Sequence, residues 1–241
     1  MLKTSSDDSM KKSISANQRL HSLPKIFRGN DLVLAGIPEK YVSIYLGRWK
    51  SAGLIDSLGG RSDVFFNSLC YGREAWVEEA ILDLSPGAIQ IGIGPLHRHA
   101  WTTQIPQKIE VAVPSKYVFS SQHATFYSRS IRWFKATTRG VEDQLSTPIC
   151  SLRPAWALAD SWLTKNPNVW KPDPDDLDFF EMEPLLDEFV EAFQVLSPVY
   201  RNKIELSNSR DFYMVYSKMR ESILNYHEEL SVKSSQIEFS L

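Results

Sequence analysis

The sequence predicts an α+β chain: an N-terminal winged helix-turn-helix, then a mixed α+β domain, then an acidic, mainly helical C-terminal region. The first observation is an order of signals. Three helical patterns and a hairpin follow one another within about fifty residues, which is the layout of a winged helix. The second is the alternation of short apolar runs with helical periodicity over residues 71–165. The third is the charge: residues 1–70 carry ten Lys+Arg against six Asp+Glu, residues 71–165 ten against eight, and residues 166–241 seven against fifteen. The boundaries expected are therefore a polar, disordered tail over 1–15, the winged helix over 16–70, the α+β domain over 71–165 and the acidic region over 166–241.

The elements follow in order. A helical pattern runs from Asn17 through Leu20 and Leu23 to Ile26 and Phe27. Asn30 suits an N-cap for a short helix from Asp31 to Ala35, closed by Gly36 at the C′ position. Pro38 opens a third helix in its first turn, where the missing N–H costs nothing, and Gly53 stops that helix after Ala52. Two β-like runs, Leu54 to Leu58 and Asp63 to Asn67, flank Gly59-Gly60-Arg61-Ser62, a hairpin signal. Residues 74–85 read as a helix ended by Ser85-Pro86-Gly87. A strand from Ala88 to Ile93, a short helix from Pro95 to Ala100 and a strand from Ile109 to Val113 come next. Phe126 to Ala136 mixes apolar and basic residues in a strand-like way, and Leu152 to Leu163 is helical. The Pro/Asn/Asp-rich stretch from Asn166 to Pro174 reads as a linker or an ordered loop. Helices are then expected over Leu177 to Leu196, Pro198 to Leu206 and Arg210 to Leu230.

Composition narrows the function classes. The chain has 241 residues, 43% of them hydrophobic and 23% charged, the balance of an ordinary folded protein. No run approaches the ~18 apolar residues of a membrane span, and Met1 to Ser13 lacks the apolar segment of a secretory signal. Two cysteines, Cys70 and Cys150, make no disulfide framework or zinc site. A cytoplasmic protein without metal or cofactor is the expectation.

The third helix carries the strongest chemical pattern. Val42, Leu46 and Trp49 recur at four- and three-residue spacing and would face a small core with Ile37 and Leu54. On the other side Lys40, Ser43, Gly47 and Lys50 recur at three, four and three, with Arg48 at one edge and no carboxylate after Glu39. A recognition helix needs cations for phosphates and short polar groups for base edges. Arg61 at the hairpin tip would reach a phosphate or the minor groove. The plainer reading is a soluble helix with a wet face, or a protein-docking module.

Other constellations are weaker. His97 and His99 stand two apart, with His123 further on, but no carboxylate or Cys lies at ligand spacing. Glu110 occupies a strand position suited to a nuclease carboxylate, without a lysine two residues later. No G-x-S-x-G, P-loop, G-x-G-x-x-G or H-E-x-x-H motif occurs, so no catalytic residue is assigned. Trp133-Phe134 among Arg129, Arg132 and Lys135 fits either stacking on single strands or the two faces of one strand.

The series of short motifs resembles the AbiEi antitoxins of bacterial type IV toxin–antitoxin systems. In the N-terminal part it rests on Leu23-Pro24, Gly36-Ile37-Pro38, Ser51-Ala52-Gly53-Leu54-Ile55 and Gly59-Gly60-Arg61. Further on it rests on Ser85-Pro86-Gly87-Ala88, on Gly94 through His99, on Gln104-Ile105-Pro106 and on Val111-Ala112-Val113-Pro114. It closes on Leu152-Arg153-Pro154-Ala155 through Asp160. The chain departs from the family at Ser62-Asp63-Val64-Phe65, where a Gly-x-Tyr is usual, and at Gly94-Pro95-Leu96, where Ser-Ala-Leu is usual. The region after Asn166 carries no family motif.

The resemblance implies a non-enzymatic repressor that binds inverted repeats in double-stranded DNA upstream of its own gene. It also implies an antitoxin that counteracts a nucleotidyltransferase-like toxin without needing a stable complex with it. DNA contact would fall on Lys40, Ser43, Arg48, Lys50 and Arg61. Three other expectations stand beside this one: a regulator whose second domain senses a small ligand, a nucleic-acid enzyme using His97, His99 and Glu110, and a docking module whose acidic region meets a basic partner. The charge split also admits an acidic tail that covers the third helix when DNA is absent.

Overall fold

The computed structural model describes residues 16–60, 62–72, 75–114, 121–142, 148–164, 176–177 and 186–200. The chain is a mixed α+β protein in two units, Met1–Leu58 with Ser62–Trp76, and Gly59–Arg61 with Val77–Leu241. The tail over 1–15 and the helix expected from Arg210 to Leu230 lie outside the described residues.

In the first unit the order is α1 (Ala16–His21), β1 (Ile26–Arg28), α2 (Gly29–Leu34), α3 (Glu39–Ser51), β2 (Asp56–Ser57), β3 (Val64–Phe66) and α4 (Ser68–Tyr71). Two glycines fix where α2 and α3 end. Gly36 at φ +85 and Gly53 at φ +68 occupy the left-handed region that side chains disfavour. In both turns the two amides after the cap fold back on the last helical carbonyls. Gly36 donates to Val33 and Ile37 to Leu32, at 3.0 and 2.9 Å, and Gly53 donates to Lys50 and Leu54 to Trp49, at the same two distances. This is the Schellman arrangement, and the apolar residue after each turn joins the core, Ile37 buried in it and Leu54 half-buried against it. The start of α2 differs from expectation. The helix begins at Gly29 rather than after Asn30, and the Asp31 carboxylate takes the Arg28 N–H at 2.7 Å.

Strands β1, β3 and β2 form a three-stranded antiparallel sheet in that order. The hairpin of β2 and β3 matches expectation, while Ile26 and Phe27 are strand and not the end of a helix. Their conformation is set by pairing with Phe66 and Phe65. The core comprises Leu20, Leu23, Phe27, Leu32, Ile37, Trp49 and Ile55, with Val42, Tyr45, Leu46 and Leu54 packed on it.

Asn67 ties this unit together. Its buried amide donates to the carbonyls of Leu20 (2.9 Å) and Leu23 (3.3 Å), and its Oδ1 accepts from the Cys70 N–H at 3.3 Å. Asn67→Ala is expected to destabilise the unit by about 1–3 kcal/mol, because the buried hydrogen bonds of this side chain to the Leu20 and Leu23 carbonyls and from the Cys70 N–H are lost. Hydrogen exchange of α1 and β3 amides reads this directly, and unchanged protection would refute it.

The second unit runs α5 (Val77–Leu84), β4 (Ile89–Gln90), α6 (Ile93–Arg98), β5 (Ile109–Val113), β6 (Ala124–Ser128), α7 (Ile131–Thr137), β7 (Val141–Glu142), β8 (Ser151–Leu152), α8 (Pro154–Leu163) and α9 (Leu186–Leu196). Its five-stranded sheet has the order β6-β5-β4-β8-β7. β5 pairs parallel with β6 and β4 parallel with β8, and the other pairs are antiparallel. The stretch Phe126 to Ala136 is not one strand. It breaks after Ser128, and the Ser130 side chain caps α7 by accepting from the Trp133 N–H at 3.2 Å.

Helix α8 is the central element, with every residue but Trp162 buried. Its alanines at 155, 157 and 159 leave room for close neighbours, and α9 packs on it through Phe189, Ala192, Phe193 and Leu196. The described part of the 166–241 region thus contributes Leu177, Phe189, Ala192, Phe193 and Leu196 to the core of the second unit. Within the segment expected to be one helix from Leu177 to Leu196, Leu177 instead forms a β-bridge with Thr102. Pro198 to Tyr200, expected to start a further helix, are turn.

Asp160 on α8 is fully buried and accepts three hydrogen bonds. They come from the Arg129 guanidinium at 3.0 Å, the Trp133 indole N–H at 2.6 Å and the Tyr200 hydroxyl. Burial works against the Arg129 charge, but Asp160 foremost outweighs it and leaves the guanidinium pKa above its ordinary value. Burial first, and then the Asp160 charge, push the Tyr200 hydroxyl well above its own.

Candidate nucleic-acid interface

Helix α3 offers the clearest surface for a charged partner. Its N-terminus is fixed by the Gly36 turn, whose carbonyl accepts the Arg19 Nη1 at 2.9 Å, and by Pro38 just before the helix. One stripe of the helix, Val42, Tyr45, Leu46 and Trp49, is held on the core. At about 100° per residue the opposite side collects Lys40, Ser43, Gly47, Lys50 and Ser51, with Arg48 at the edge. All six are exposed. The structure therefore brings together four of the five predicted DNA contacts, Lys40, Ser43, Arg48 and Lys50. Arg61 lies outside the described residues.

Two residues on this side escape sequence reasoning. Tyr41 and Ile44 are 42% and 45% exposed. An apolar residue in a helical pattern is first assigned to the core, and these two are not. The readable signal was spacing: Lys40, Ile44 and Arg48 recur every fourth residue, so Ile44 stands on one ridge between two cations. Lys40 Nζ lies 5.0 Å from the centre of the Tyr41 ring.

No known protein family matches the sequence, and no characterised protein matches it. The chemistry of the surface itself sets what it can bind. Beyond Glu39 the exposed side of α3 holds three cations and no carboxylate, so it attracts polyanions. Ser43 and Gly47 leave the helix backbone accessible between the charges.

The constellations in the second unit resolve differently. His97 Nδ1 lies 3.3 Å from the Thr102 carbonyl, and His99 Nε2 lies 2.9 Å from Glu142 Oε1, so the two rings serve separate partners. Among the described residues no three His, Cys, Asp or Glu side chains gather as a metal site would require. Glu110 accepts from the Tyr127 hydroxyl at 3.1 Å and from the Ile93 N–H at 3.3 Å. Burial first, then Glu110, holds the Tyr127 hydroxyl far above its ordinary pKa. These two side chains border a groove of about 360 Å³ that also takes in Gln104, Lys108 and Thr125. The single-strand stacking reading of Trp133 fails. The ring is buried on α7 with its N–H on Asp160, and Arg129 beside it is committed to the same carboxylate. Cys70 is exposed with its sulfur 3.3 Å from His21 Nδ1.

Proposed function

We propose that the protein is a DNA-binding transcriptional regulator whose residues 16–70 form a winged helix-turn-helix with α3 as the recognition helix. The observation that carries the reading is the solvent side of α3, where Lys40, Arg48 and Lys50 surround Ser43 and Gly47 without an opposing carboxylate. The order of α2, α3 and the β2–β3 hairpin supports that reading. The resemblance of the motif series to AbiEi antitoxins supports the further proposal that the chain represses its own operon and counteracts a nucleotidyltransferase-like toxin. The second unit would carry the antitoxin activity, and no residue in it is assigned to that role.

A gel shift with duplex DNA from just upstream of the gene, titrated with salt, tests the DNA half. Log affinity should fall linearly with log salt, by about 0.9 per phosphate neutralised. Lys50→Ala should weaken binding to all duplexes alike and lower that slope by about one. Folded protein that gives no shift at low salt, or a shift indifferent to salt, would overturn the reading. Growth rescue of cells making a nucleotidyltransferase-like protein encoded beside it tests the antitoxin half.

A further inference from the structure

Among the described residues the exposed isoleucine of α3 has no place in the core. Val42, Tyr45, Leu46 and Trp49 supply the helix's contribution to the core, and Ile44 does not pack there. It is 45% exposed, and its β-branched side chain is a weaker helix former than the lysines and arginine around it. Lys40 and Arg48 stand one turn before and one turn after it on the same ridge.

Gly47, three residues on, is equally unexplained from within. A Cβ there would meet nothing within 4 Å, and the residue is not among those at positive φ. Neither space nor backbone conformation requires the glycine, which costs the helix roughly 1 kcal/mol against alanine. What the glycine does provide is a low spot beside Ile44, where a partner can approach the helix axis.

A surface with an apolar centre, cations at both ends and a recess beside it fits a groove with the inverse pattern. The DNA major groove has phosphates along its walls, and the one apolar group on its floor is the thymine 5-methyl. Resting on the DNA-binding reading above, we infer that Ile44 reads the 5-methyl group of a thymine, with Lys40 and Arg48 on the flanking phosphates and Gly47 admitting the helix to that depth. A protein partner would have to present carboxylates around an apolar pocket instead, and would be indifferent to DNA methyl groups.

Replacing thymine by uracil throughout the upstream duplex removes every such methyl and leaves the hydrogen-bonding pattern intact. Full-length protein should bind the uracil duplex more weakly, by about fourfold for each methyl that Ile44 covers in thymine DNA, the equivalent of burying one such group. Ile44→Ala should bind the two duplexes equally, with roughly the affinity of the unaltered protein for uracil DNA. Lys50→Ala should weaken both and keep the preference for thymine. Equal, salt-dependent binding of both duplexes by the unaltered protein would overturn the inference and leave the DNA reading standing. A thymine preference that survives in Ile44→Ala would also overturn it, because another group would then be reading the methyl. No salt-dependent binding to either duplex would overturn both.

Discussion

Asp160→Ala is expected to destabilise the second unit by about 3–5 kcal/mol, the cost of stranding a buried charge without its partner. The Arg129 and Asp160 side chains are 8% and 1% exposed, so water cannot replace what is removed. The guanidinium also lies 5.8 Å from the ring centres of Tyr127, Trp133 and Tyr200, whose faces attract a cation but replace neither the full charge nor the hydrogen bond of the carboxylate. Trp133 and Tyr200 would each lose an acceptor as well. Chemical denaturation checks the magnitude, and the double variant Arg129→Met, Asp160→Ala separates the causes. If the stranded charge dominates, the double variant should be more stable than Asp160→Ala alone. Equal stabilities would assign the loss to the Trp133 and Tyr200 hydrogen bonds instead.

Ending the chain at Lys165 is expected to unfold the second unit. The acidic region looks separable by charge, yet Phe189, Phe193 and Leu196 are buried on α8. Each such side chain contributes about 1.5–3 kcal/mol by burial, so three contribute roughly 5–9 kcal/mol before any chain entropy is counted. That is comparable with the whole stability of a domain, about 5–15 kcal/mol. Hydrogen exchange on the shortened chain should show β4, β5 and α8 unprotected while α3 keeps its protection. A tail that merely covers the third helix predicts the opposite: a folded second unit and tighter DNA binding. Phe189→Ala in the full chain, expected to cost about 3–5 kcal/mol, tests the same packing without shortening it.

The parts of this protein legible in its sequence are those decided by residues close together. Gly36, Pro38 and Gly53 place both ends of α3 because capping is a local matter, and the core stripe of α3 follows from its periodicity. The three residues of β1 carry no such local signal. They are strand because Phe66, Phe65 and Val64 lie beside them, and that pairing partner belongs to a distant stretch of chain. The division between β6 and α7 was readable in principle. Ser130 three residues before Trp133 is an N-cap signal, obscured by the alternation of basic and apolar residues around it.

For the candidate site, charge was legible and exposure was not. Lys40, Ser43, Arg48 and Lys50 stand on the solvent side as their spacing requires. Ile44 and Tyr41 share that side; the four-residue spacing of Ile44 from Lys40 and Arg48 hinted at it, and the packing of Val42, Tyr45 and Leu46 on the core settles which apolar residues of α3 are left over. In α9 the same ambiguity ran the other way. Its acidic residues drew attention from an apolar stripe at positions 189, 193 and 196, the spacing of a buried helix face.

The sheet order of the second unit also fixes a sequence of events during synthesis. The strand β4 takes its antiparallel neighbour β5 soon after it is made, but its other edge waits for β8. There Gln90 faces Ser151 and donates its amide hydrogen to the Cys150 carbonyl at 2.9 Å. Until the ribosome has delivered that stretch, the middle of the sheet keeps an open edge, and α8 and α9 follow later still. The first unit needs nothing beyond Trp76 to complete its own sheet and core. A growing chain can thus carry a finished α3 while two of the five strands of the second sheet are still unmade.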